Sequence, residues 1–362
     1  MRLKALAPLV LAAAVSACAS LPESEPGPTP SPQAPSPPPP APAQPPPPAP
    51  VPANFAGLDG WTQADHLAAF FAWRRACAAG VVRQAEAACA AALRGDLTDR
   101  VAARAYFETW FTPIRAEGEG LLTAYFAPEY EARTTPDAEF SAPVRPRPQL
   151  AEGPHPSRAE IEAVPAGDAL AWMRPEDLFF MQIQGSGYLT LEDGRRVRAA
   201  FAAHNGHPFT GIARPMEARG LLPRGQTSGE AIRAWLAAHR GPEANEVMAL
   251  NPRYVFFRLE PDDGGEPSGA AGVPLTARHA IAVDPAHWTY GDLVWIEASG
   301  ASLPGAVAGY HALTVALDTG GAIRGPVRAD FYMGRGEAAG REAGTVRHPL
   351  RMWRLAPRQS AD

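Results

Sequence analysis

The stretch "LDTGGAIRGPVRADFYMG", residues 317–334, places two aspartates, Asp318 and Asp330, twelve positions apart among glycines. Gly320, Gly321 and Gly325 allow tight backbone turns, and Ala322-Ile323 and Phe331-Tyr332-Met333 read as short buried pieces of strand. Taken alone, Asp-Thr-Gly-Gly is turn chemistry, because an aspartate beside glycine readily accepts hydrogen bonds from nearby backbone amides. The surrounding chain decides whether these acids do more.

Outward from this stretch, short apolar runs alternate with Gly, Pro and Asp clusters. They are "LLTAYF", "LFFMQIQGSGYLTL", "RRVRAAFAAHNG", "RYVFFRL", "RHAIAVD", "DLVWIEA", "HALTVALD", "ADFYMG" and "RMWRLAP". Many short strands at uneven spacing predict β-barrels rather than a sandwich of regular hairpins. Asp193-Gly194, between alternating arms, predicts a hairpin turn. Helical texture fills about 58–115, with a first helix starting near Thr62 or Asp65, a break at Gly80, and a last helix "AARAYFETWFTPI" ended by Pro113. It returns once, in "SGEAIRAWLAAHR" (228–240), where Ser228 can cap a connector between two β-rich parts.

The 362 residues and 46% hydrophobic content suffice for one large or two medium domains. A net charge of -5 gives no electrostatic case for nucleic acid or for an anionic lipid surface. The 41 prolines crowd into 21–54 and predict an extended polyproline-type spacer. Ahead of it, Arg2 and Lys4, the apolar "LAPLVLAAAV" and "VSAC" resemble a bacterial lipoprotein signal ending at an acylated Cys18; an ordinary secretory peptide cut near Ala17 is the alternative. An oxidising compartment then permits Cys77 and Cys89, on the two arms of a helical hairpin, to pair, with two buried free thiols as the other reading.

There is no HExxH, no CxxC and no zinc-spaced His/Cys cluster, so no metal site is expected. P-loop, dinucleotide fingerprint and nucleophile elbow are also missing, and no cofactor is expected. Two segments mix amides, hydroxyls and aromatics as carbohydrate sites do: Gln182, Gln184, Ser186 and Tyr188, then His204, Asn205, His207 and Phe209. A solvated turn gives the same composition.

"FFMQIQGSGYL", "HNGHPFTGIAR", "NPRYVFF" and "ALDTGGAIRGPVRADFYMGRG" stand in an order and spacing that resemble the membrane-bound lytic murein transglycosylase A family, over about Gly118 to Ala356. The closing block resembles that family's C-terminal 3D domain, its three aspartates falling on Asp284, Asp318 and Asp330. Asp292 in "TYGDLVWIE" departs from the family pattern, where a small uncharged residue is expected.

The resemblance implies a mainly β fold with N-terminal helices: an expansin- and barwin-like double-psi β-barrel, a second inserted β-barrel, and a glycan-holding groove between them. The expected layout is a signal peptide at 1–17, a proline-rich linker at 18–54, the first barrel with its helices from 55–123 plus 243–357, and the insert at 124–242. It implies outer-membrane attachment at the periplasmic face in a Gram-negative bacterium, since Ala19 and not Asp follows Cys18. Peptidoglycan strands and cell-wall synthesis complexes are the implied partners. The implied reaction is lytic transglycosylation, in which the muramic acid's own C6 hydroxyl replaces water, so one acid can serve as general acid and then base. Asp330 takes that role and Asp318 tunes or orients it; the reverse assignment is open from sequence. Tyr125, Gln184, Ser186 and Gly187 are expected at the glycan, with Asn205 behind them, and Gly320 and Gly321 bring backbone amides close unless turn geometry alone explains them. Tyr125 as a core aromatic and Asp284 as a turn former are the plainer readings of those two. A glycan-binding barrel without catalysis and a two-aspartate murein hydrolase are the rival functions.

Overall fold

The computed structural model describes residues 53–148 and 155–358. The expected signal peptide, Cys18 and all but the last two residues of the linker lie outside them. Three helices come first: α1 (His66–Ala78), α2 (Glu86–Arg94) and α3 (Arg100–Trp110). Asp65 starts α1 by accepting from the Ala68 amide at 3.2 Å, and Asp99 caps α3 through the Val101 and Ala102 amides. Between α1 and α2 the chain turns at Gly80, whose φ of 69° suits glycine. Cys77 and Cys89 are joined in a disulfide across this hairpin. The last helix stops short of its expected end: the backbone goes extended at Phe111, and Pro113 lies inside strand β1 (Phe111–Arg115), where the missing N–H is tolerated at a sheet edge.

After β1 the chain makes β2 (Gly120–Ala127), leaves for a long excursion, and returns to make β9 (Ala280–Ala282), β10 (Leu293–Ser299), β11 (Gly309–Asp318), β12 (Arg328–Arg335), a helix and β13 (Arg347–Pro357). These strands form one sheet in the order β1-β13-β10-β11-β9-β12-β2, and β13 also pairs with β2. The second pairing closes six of the strands into a ring, leaving no free edge except where β1 is appended. Val294, Ile296 and Ala298 of β10 point into the ring with Ile281, Ala316, Ala329 and Phe331. The alternate residues Leu293 and Trp295 point outward to Trp61, Trp73 and Phe70 of the helical layer, with Trp61 and Trp295 edge to face at 5.0 Å. Both faces of β10 are therefore buried, which is why it reads as a continuous apolar run.

The excursion carries β3 (Glu129–Glu131), β4 (Ala142–Val144), α4 (Arg158–Glu162), β5 (Ala171–Met173), α5 (Pro175–Gln184), β6 (Gly187–Thr190), β7 (Arg196–His204), α6 (Ala213–Ala218), α7 (Gly229–Ala238), α8 (Pro242–Ala249) and β8 (Val255–Pro261). Four of its strands form a second sheet, β3-β6-β7-β8, and β4 pairs with β5. The β6–β7 hairpin turns at Asp193-Gly194, with Gly194 at φ 80°. Ser228 caps α7 through the Ala231 amide at 3.1 Å.

Two expectations need correction. "LFFMQIQ" is helix α5, not strand: Pro175 opens it, Glu176 and Asp177 sit in its first turn, and Gly185 at φ 85° ends it. The layout also shifts, because β2 stays in the larger sheet to Ala127 and β8, beyond the expected return at 243, belongs to the smaller one. Backbone ladders rather than the connector helix mark where the chain changes sheets. Among the described residues no helix is long and apolar enough to cross a membrane, and the α9 helix (Gly336–Ala343) simply links β12 to β13.

Candidate active site

The short central strand β9 sets the site. Ala282 pairs with Asp318 of β11 on one side and with Asp330 of β12 on the other, and Asp330 pairs in turn with Thr123 of β2. Asp318, Ala282, Asp330 and Thr123 thus form one row across four strands, the two acids two strand spacings apart, about 10 Å between Cα atoms. Strand alternation alone would not achieve this. Ala316 faces the ring interior, so Asp318, two residues on, should too; the register slips by one between Ala316 and Asp318, and that bulge turns Asp318 to the face of Asp330.

The acids are held differently. Asp318 accepts from three donors: the Tyr125 hydroxyl at 2.8 Å and the backbone amides of Ala270 and Thr319, each at 2.9 Å. Asp330 has one protein partner, the Thr123 hydroxyl on Oδ1, and Thr123 in turn accepts from Arg328 at 2.9 Å. Its Oδ2 remains open to an incoming group, without a protein partner among the described residues and without being sealed from solvent. Burial pushes the Asp330 carboxyl above the usual carboxylate range; the Thr123 bond and Arg328 pull it down, and the charge of Asp318 pushes it up again. Asp318 is also raised by burial, against the pull of its three donors. Burial, then Asp318, keep the Tyr125 hydroxyl protonated and so a donor. Tyr290 flanks the same acid, its hydroxyl raised by burial and by Asp318.

Of the other expected residues, several converge here. Tyr125 lies along β2 from Thr123, its ring 5.2 Å from that of Tyr332. Gln184, last in α5, accepts from the Phe126 amide at 3.2 Å, which ties the excursion to β2 beside Tyr125. Ser186 is half-buried in the following turn. Gly320 and Gly321 form the turn after Asp318, and a Cβ on Gly321 would lie 3.6 Å from the Arg253 guanidinium and 3.9 Å from Phe209. That glycine marks where the larger sheet's loop passes close to the excursion.

Three residues do other work. Asn205 is buried with its whole amide committed to backbone: Oδ1 accepts from Tyr254 at 2.9 Å, and Nδ2 donates to Pro156 and Pro252. No polar group is left for a sugar. Gly187 is buried, and a Cβ there would sit 2.9 Å from the Met181 sulfur, so close packing explains it. Asp284 accepts from the amides of Ala286 at 3.1 Å and Gly325 at 2.7 Å and thereby braces the 319–326 loop, the Gly325 bond holding its carboxyl below the usual range.

Sequence reasoning missed Thr123 and Arg328. Thr123 was findable, since it stands two residues before Tyr125 in "LLTAYF" and so on the same strand face. Among the described residues no His/Cys/Asp/Glu group could hold a metal ion.

By fold and site this is a protein of two main sheets and a small two-stranded one, presenting two carboxylates in one row of the largest sheet, where the excursion packs against it. Residues 121–258 match the MltA specific insert domain and residues 279–356 the 3D domain. The membrane-bound lytic murein transglycosylase A of Escherichia coli K12 is 36% identical over 244 residues, a match spanning 66% of each chain. A membrane-bound lytic murein transglycosylase structure from Agrobacterium tumefaciens superposes with a TM-score of 0.76 at 32% identity, covering 84% of this chain and 97% of that one. E. coli MltA with bound chitohexaose gives a TM-score of 0.67 at 29% identity, over 82% and 91%. The chain belongs to the membrane-bound lytic murein transglycosylase A family, lyases acting on peptidoglycan.

Proposed function

We propose that this chain cleaves the β-1,4 bond between N-acetylmuramic acid and N-acetylglucosamine, leaving a 1,6-anhydromuramic acid end, with Asp330 as the single general acid and base. The observation that carries this reading is the unequal hold on the two aspartates. Asp318 is saturated by three donors and suits an orienting and charge-setting role. Asp330, shielded and with one oxygen open, suits a proton donor whose pKa must lie above that of an ordinary carboxyl. In the first half of the reaction Asp330 gives its proton to the glycosidic oxygen as the C1–O bond breaks. In the second half the muramic acid C6 hydroxyl bonds to C1 and returns its proton to Asp330. The attack is intramolecular, an arrangement worth roughly 7–11 kcal/mol in ideal cases.

The chitohexaose bound by the E. coli relative supports a β-1,4-linked amino-sugar strand as ligand. Tyr125, Gln184, Ser186 and the Gly320-Gly321 turn line its path in this reading. The closed six-strand ring supports a double-psi barrel as the larger domain. Attachment through an acylated Cys18 to the periplasmic face of the outer membrane fits the relatives' membrane-bound names, and the proline-rich segment then serves as a tether. Purified sacculi treated with the parent chain and with Asp330→Asn test the reaction by mass spectrometry of soluble products. Anhydromuropeptides from the parent alone are expected. Reducing muramic ends would replace this reading by hydrolysis, and binding without products by a non-catalytic glycan-binding barrel.

A further inference from the structure

Opposite the acids, the excursion presents a guanidinium that the reaction as described does not use. The segment 251–254 is gripped from below. Buried Arg158 donates to the carbonyls of Asn251 at 3.1 Å and Arg253 at 2.8 Å, Asn205 holds Pro252 and Tyr254, and the Asn251 side chain accepts from the amides of Thr210 and Arg253. The backbone under Arg253 is therefore fixed, and its side chain extends to Gly321, three residues from Asp318. The Arg253 side chain donates once, from Nη1 to the His207 carbonyl at 3.1 Å, and no carboxylate among the described residues lies within ion-pair distance of it. Burial and then Arg324, a second cation on the Gly320–Gly325 loop, disfavour its charge. Arg324 is 64% exposed, and among the described residues it makes a long 3.6 Å contact with Asp284 and a 3.3 Å bond to the Ile323 carbonyl. Arg253 thus reaches the turn that carries Arg324, and among the described residues both guanidiniums keep donors that no protein group takes up. An anion lying between them would take up those donors and relieve the repulsion.

We propose that Arg253 and Arg324 together receive a carboxylate of the substrate. The proposal rests on the reading of peptidoglycan as substrate and extends it, because every muramic acid bears a lactyl group that ends in a carboxylate or continues into a stem peptide with carboxylates of its own. Chitin-type strands carry neither. The pair distinguishes muramic acid strands from neutral ones and sets the register at which the strand meets Asp330.

Dissociation constants measured by calorimetry in an Asp330→Asn host, for chitohexaose, naked muramic acid strands and peptide-bearing strands, test it. The expected result is binding of an anionic strand about tenfold or more tighter than chitohexaose, with the preference erased in Arg324→Gln and in Arg253→Gln and chitohexaose affinity unchanged. Preference already present with naked strands assigns the lactyl carboxylate; preference appearing only with peptide-bearing strands assigns the peptide. Exposed Arg324 tolerates substitution whatever happens to Arg253. Equal affinity for neutral and anionic strands, or a preference that survives both substitutions, overturns the proposal while the glycan reading stands. If no strand binds and the parent releases no product from sacculi, the glycan reading fails and takes this one with it.

Discussion

The two sides of this site are built on opposite terms. On the larger sheet, chemistry-bearing side chains stand on strands and are held by one another: Arg328 to Thr123 to Asp330, and Tyr125 to Asp318. On the excursion, Asn205 and Arg158 grip backbone carbonyls and amides, and what they position is a segment. The first arrangement bears on the charge of the two acids and the second fixes a stretch of backbone. Substitutions on the two sides should therefore fail differently, in rate and pH profile on one and in stability and binding on the other.

The sharpest contrast is Asp330→Asn, for which release of anhydromuropeptides should fall about a thousandfold, within the span general acid–base catalysis supplies. The same substitution should not weaken the fold. Burial raises the Asp330 pKa in the folded chain above its unfolded value, so stability falls as pH rises from the ordinary carboxylate range through the raised one. Asparagine removes that loss, and Tm of the variant near pH 7 should exceed the parent's by about 2–4 °C in a thermal scan. A large drop instead would mean that Asp330 is structural and would collapse the distinction between the two sides.

Asn205→Ala should behave the opposite way. Two carbonyls and an amide lose their partners in a buried setting, and denaturant titration should show a loss of about 2–3 kcal/mol. At temperatures where the variant is folded, KM should rise while kcat stays near the parent's.

Asp318→Asn should lower the rate by about tenfold and move the pH profile, since it removes the charge that helps raise Asp330. In the proposed mechanism activity requires protonated Asp330 and fades as pH rises through its raised pKa. The basic limb should therefore shift to lower pH in the variant; an unmoved limb would separate the two acids. Tyr125→Phe should have the smallest effect, about three- to tenfold in rate, because Asp318 keeps two of its three donors.

Much of the larger sheet was legible because its strands are bounded by Gly, Pro and Asp and have strong β character, as in "DLVWIEA" and "HALTVALD". Helix α5 was not, since a short, largely apolar stretch such as "LFFMQIQ" fits a buried helix as well as a buried strand; Pro175 and Gly185 were the signals that separate the two. The acids were visible as residues, but their common face depends on a one-residue register slip between Ala316 and Asp318, and no residue type announces a slip of that kind. The backbone grip of Asn205 was not legible, because an asparagine beside glycine looks the same from sequence whether it meets a sugar or three backbone groups.

Strand β2 carries Thr123, and its parallel partner β12 arrives some two hundred residues later. Pairings over such distances form slowly and late. A chain still being made has neither the pairing of Thr123 with Asp330 nor the closed ring until its last strands are in place, and a chain cut short before Arg328 never acquires them. The order of the strands thus acts as a timer on the row of Thr123 and Asp330: its two halves meet only once nearly all of the chain exists.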